Sequence, residues 1–96
     1  MQEYERHRAL ISELLADSPL TSESVIEDVH HLMVVGEERL AFDTMCSWIY
    51  EDAREISERF HARLVATAGV LDSMRSVERL DELVAKTPAG PPPSAR

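Results

Sequence analysis

At 96 residues the chain has room for one domain, because a second core of that size would bury too little surface to hold. Apolar residues make up 44% of it and aromatics only 5%, so the core must come from Leu, Val, Ile, Met and Ala, which suits packed helices better than a sandwich. Eighteen Asp and Glu against ten Lys and Arg give a formal charge of −8, which argues against nucleic acid and anionic lipid as ligands and favours a basic protein, although acidity also serves solubility.

In chain order, Tyr4, Ile11, Leu14 and Leu15 recur at helical spacing with Leu10 alongside, and the first helix is expected to stop at Asp17-Ser18-Pro19. Thr21-Ser22-Glu23-Ser24 offers N-cap hydroxyls, and Ser24 with Glu27 has capping-box spacing. The row Val25, Val29, Leu32 and Met33 then predicts a second helix ending at Gly36. Glu37 and Glu38 favour a new helix N-terminus, and Ala41, Met45 and Trp48 with Phe42, Cys46 and Ile49 form the broad apolar face of a third. Arg39, Asp43, Ser47, Tyr50 and Arg54 fall on its other side, so Trp48 is expected in the core and Tyr50 at the surface.

Ile56-Ser57 reads as a break with an N-cap serine, followed by Phe60, Leu64, Ala68 and Leu71 in a fourth helix that Gly69 ends or kinks. Asp72-Ser73 is placed to cap a last helix carrying Val77, Leu80, Leu83 and Val84, with Glu82 and Lys86 spaced for an ion pair. From Thr87 the run of Pro88, Gly90 and Pro91-Pro92-Pro93 predicts a disordered spacer. The expected architecture is all-α, a single small antiparallel bundle of four to five helices over residues 1–86, with a flexible Pro-rich tail over 87–96.

Chemistry-bearing residues are sparse. His30 and His31 are neighbours and point about 100° apart on a helix, and no metal-binding motif is present, so no metal site is expected; Glu27 is spaced to pair with His31. Cys46 lies inside an apolar face and reads as a core residue. There is no nucleophile turn and no glycine-rich phosphate loop, so neither catalysis nor a cofactor is expected. Glu51, Glu55, Arg59 and Arg63, spaced by four, would form a solvated charge ladder on a continuous helix. Glu37, Glu38, Asp43, Glu51 and Asp52 surround the third helix near Tyr50, and together these six are the candidate partner-binding residues. A lone thiol and a start without a secretory pattern point to the cytoplasm, and no apolar run approaches the roughly 20 residues needed to span a bilayer.

The stretch Gly36-Glu37-Glu38-Arg39-Leu40-Ala41-Phe42-Asp43, continuing through Trp48-Ile49-Tyr50-Glu51-Asp52 to Ile56-Ser57, resembles the Maf-type immunity proteins of bacterial polymorphic toxin systems. The resemblance covers roughly residues 25 to 75. It implies a small helical protein that binds and neutralises a cognate toxin, with Glu37, Asp43, Glu51 and Asp52 as the family-pattern acids. A nuclease toxin would supply the basic surface. Trp48, the longer arm before the second helix and the proline tail depart from the pattern. Two other classes remain open from the residues. One is a regulatory or adaptor module, including a homodimer, built on the same apolar face; the other is a small enzyme or carrier, which would need a pocket where His30, His61 and carboxylates converge.

Overall fold

The computed structural model describes residues 3–85, with Glu3 and Tyr4 as backbone alone. The tail at 87–96 and the expected partner of Glu82, Lys86, lie outside the described residues. The chain is an all-α antiparallel bundle: α1 (Glu3–Asp17), α2 (Glu23–Val34), α3 (Glu38–Asp52) and α4 (Glu58–Leu71), followed by two 3₁₀ turns at Met74–Val77 and Leu80–Leu83.

Local chemistry sets each boundary. At the end of α1 the Ser18 hydroxyl donates to the Leu15 carbonyl at 2.9 Å, and Pro19 holds the residue before it out of the helical region. α2 closes on Gly36 at φ +84°, whose N–H donates to the Met33 carbonyl while the Glu37 N–H reaches back to Leu32 at 2.8 Å. That pair of bonds satisfies carbonyls the helix leaves open and needs a residue at ease with positive φ. α3 ends on Ala53 and α4 on Asp72, both left-handed without being glycine. Ser57 caps α4 as the sequence predicts, its Oγ accepting from the Phe60 N–H at 3.0 Å.

Three local expectations are corrected. Ser24 lies inside α2; Ser22 takes the N-cap position, with no side-chain cap bond, and its Oγ meets that of Ser24 at 3.2 Å. α4 runs through Gly69 to Leu71, since one glycine costs only about 1 kcal/mol in a helix whose other face is packed. The last predicted helix is tightened into two 3₁₀ turns. Val77, Leu80 and Leu83 recur every third residue, which is the 3₁₀ repeat, so the tighter winding turns all three to one side. Val77 and Leu80 are buried there and Leu83 partly so.

The core is continuous from α1 to the second 3₁₀ turn. Ile11, Leu14, Val29, Phe42, Met45, Ile49, Leu64 and Leu80 are the largest of its fully enclosed side chains. α3 is the central element, packing on α2, α1 and both 3₁₀ turns. Beyond Leu83 the chain returns to the break before α4. Val84 and Ile56 form an isolated parallel bridge, with Ile56 N–H donating to Leu83 at 3.0 Å and Ala85 N–H donating to Ile56 at 2.8 Å. Among the described residues no helix is long and apolar enough to cross a membrane.

Candidate functional site

α3 positions most of the predicted site, and its two faces differ from what the sequence predicts. Ala41, Phe42, Met45, Cys46 and Ile49 are buried as expected, while Trp48 is 44% exposed. An α-helix turns 100° per residue, so Trp48 lies about 100° from the buried Ile49, at the edge of the apolar stripe. Neighbouring elements close over the stripe at Ala41, Met45 and Cys46 and leave the indole outside it.

Tyr50 moves the other way. It is half-buried and packs against the core; its hydroxyl donates to Glu82 Oε1 at 3.2 Å, and the Arg79 guanidinium lies 4.6 Å from the ring centroid. Arg79 Nε also meets Glu82 Oε2 at 3.5 Å. Partial burial first, and then the bond to Glu82, raise the phenol above its ordinary value, with Arg79 pulling the other way. Asp43 is similarly engaged, accepting from the Ser76 hydroxyl at 2.9 Å. Both side chains thus strap the 3₁₀ segment onto α3.

Asp43, Tyr50 and Glu51 line one open groove of about 210 Å³, together with Arg75, Ser76, Glu78 and Arg79. Glu37 and Glu38 belong to another, of about 340 Å³, with His7, Arg39 and Val70. The two acidic ends of α3 are separated by roughly 20 Å of helix, so the six predicted residues form no single cluster. Arg75 and Arg79, absent from the sequence prediction, make the first groove mixed in charge. Their spacing of four in a chain with few cations was the available signal, and the tighter winding of that segment hid where they point.

The remaining candidates stay apart. The ladder Glu51, Glu55, Arg59, Arg63 is broken because α3 ends before Ala53 and α4 begins at Glu58; Arg63 pairs instead with Asp17 at 2.9 Å and lies 5.6 Å from the Phe60 ring centroid. Glu27 and His31 are exposed and make no ion pair with each other. Among the described residues no three His, Cys, Asp or Glu side chains converge as metal ligands, and no buried side-chain polar atom lacks a hydrogen bond. The Cys46 thiol is enclosed at 1% exposure, and burial, aided by the nearby Asp43 charge, pushes its pKa far up.

Fold and surface together define a small all-α domain with a closed apolar core and its acids on the outside. No family model, no curated protein and no solved structure matches the chain.

Proposed function

We propose that the chain is a non-catalytic, protein-binding domain that acts in the cytoplasm as an immunity protein, neutralising a cognate basic toxin. The observation that carries this reading is the charge around α3. Residues 37–52 hold Glu37, Glu38, Asp43, Glu51 and Asp52 against Arg39, and even with Arg75 and Arg79 beside Asp43 and Glu51 the acids outnumber the cations, on an element braced on its inner side by the rest of the core. A rigid helix presenting that excess of negative charge draws in a basic surface and repels acidic competitors. The resemblance of residues 36–52 to Maf-type immunity proteins points the same way and supplies the toxin as the partner class.

The test is capture from the native producer with the purified full chain as bait, at low and high salt, with mass spectrometry of what is held. Recovery of a basic toxin domain encoded beside the chain, weakened by salt and by Glu51→Lys with Asp52→Lys, is the expected result. Recovery of the chain alone, or of a signalling protein, overturns it in favour of the adaptor reading.

A further inference from the structure

Leu40 and Trp48 are 49% and 44% exposed, although each is a large apolar side chain on the element that organises the core. With half-buried Thr44 between them they stand at spacings of four, which places the three along one stripe of α3 about 12 Å long. Glu37 and Glu51 lie seven residues either side of Thr44. Glu51 therefore points within about 20° of the Thr44 direction, and Glu37 sits at the entrance to the helix in front of the stripe. Arg39 points about 140° away from Thr44. Glu37, Glu51 and Asp52 are all exposed.

We propose that this outward face of α3, the row Leu40, Thr44 and Trp48 closed by Glu37 at one end and by Glu51 and Asp52 at the other, docks a basic amphipathic helix of a partner protein. The proposal rests on the reading of the chain as a protein-binding domain and names the surface and the chemistry of what meets it. A row of side chains four apart is the ridge that seats in the groove of a facing helix. Tryptophan is the residue type that most often anchors such a contact. The acids select the sign: Lys or Arg beside the partner's apolar stripe would meet Glu37 and Glu51, whereas a second copy would bring acid against acid. Tyr50, expected from the sequence to be the aromatic anchor, is already held by Glu82 and Arg79 and leaves Trp48 as the available one.

Trp48 is the chain's single tryptophan, so its emission reports this face alone. The probe is a synthetic helical peptide of leucine and lysine without aromatic residues, titrated into the full chain. A saturable blue shift is expected, weakened about tenfold by Leu40→Ala and by Glu51→Lys with Asp52→Lys. Glu27→Lys with Asp28→Lys, an equal charge change on α2, should alter affinity by less than about twofold, and a leucine–glutamate peptide of the same pattern should give no shift. Circular dichroism of each variant confirms that the fold is kept. Absence of a shift, equal weakening by the α2 pair, or an emission that changes with protein concentration alone and so reports a second copy on this face, each overturns the proposal. If the peptide docks here but native capture yields no toxin, the face stands and the immunity reading fails. A captured toxin indifferent to Leu40→Ala and to the Glu51 and Asp52 reversals gives the converse.

Discussion

The Tyr50 hydroxyl donates to Glu82 Oε1 across 32 residues of sequence, joining the last turn of α3 to the second 3₁₀ turn. With the Asp43 to Ser76 bond it gives the short C-terminal segment two polar attachments to α3, beside the apolar one made by Val77 and Leu80. A 3₁₀ segment has weak hydrogen-bond geometry of its own, so its position depends on such outside contacts.

Tyr50→Phe removes the hydrogen bond and keeps the ring under Arg79. The bond is exposed, so only a small loss is expected in urea unfolding. The phenol's pKa in the fold lies above its ordinary 10.0, meaning the fold holds that proton more tightly than the unfolded chain does. The resulting stabilisation is whole below pH 10 and is lost as pH rises through the folded value. Phenolate absorbance of Tyr4→Phe, which leaves Tyr50 as the reporter, should show its titration above that of the urea-unfolded protein. A coincident titration contradicts the geometry.

Backbone handedness gives a second set of expectations. Gly36 at φ +84° has open space around a hypothetical Cβ, so Gly36→Ala costs backbone strain alone, about 1 kcal/mol. Gly69 is helical and equally uncrowded, so Gly69→Ala should stabilise by about 0.5 to 1 kcal/mol. Ala53 at φ 52° bears the left-handed penalty that Gly36 avoids, and Ala53→Gly should add about 1 kcal/mol. Thermal melts of the three variants should move Tm down for Gly36→Ala and up for the other two.

Capping separates serines that look alike in the sequence. Ser57 Oγ satisfies the Phe60 N–H, so Ser57→Ala is expected to cost about 1 kcal/mol. Ser22 occupies the same position on α2 without that bond, and Ser22→Ala and Ser24→Ala should each change stability by less than about 0.5 kcal/mol. Chemical denaturation of the three variants gives the ranking, and a Ser24→Ala loss as large as that of Ser57→Ala contradicts the observed boundary of α2.

These contrasts mark what was legible in the sequence. Four helices, the Gly36 stop, the Ser57 cap and nearly the whole apolar stripe of α3 follow from spacing, because burial of one face is a local demand. Trp48 and Tyr50 were exchanged in role, because the edges of a stripe are decided by which neighbours close over them. Arg79 and Glu82 come from the far end of the chain to cover Tyr50, and no periodicity within α3 announces that. The five candidate acids and Tyr50 separated for a related reason: adjacency in sequence around one helix does not bring its two ends together.

Cys46 supplies the last prediction. Its thiol lies in the stripe between Met45 and Ile49, where burial and then the Asp43 charge disfavour the thiolate. Raising pH through the ordinary thiol value of 9.0 therefore should not activate it in the fold. Because the folded thiol holds its proton more tightly than the unfolded one, the associated stability is complete below pH 9.0 and declines above it. Under native conditions alkylation must wait for opening of the core around Phe42 and Leu80, so its rate should track the unfolded fraction set by urea. Labelling at the rate of a free thiol in the absence of urea would show that α3 opens on its inner side, and would remove the rigid support that the acidic face requires.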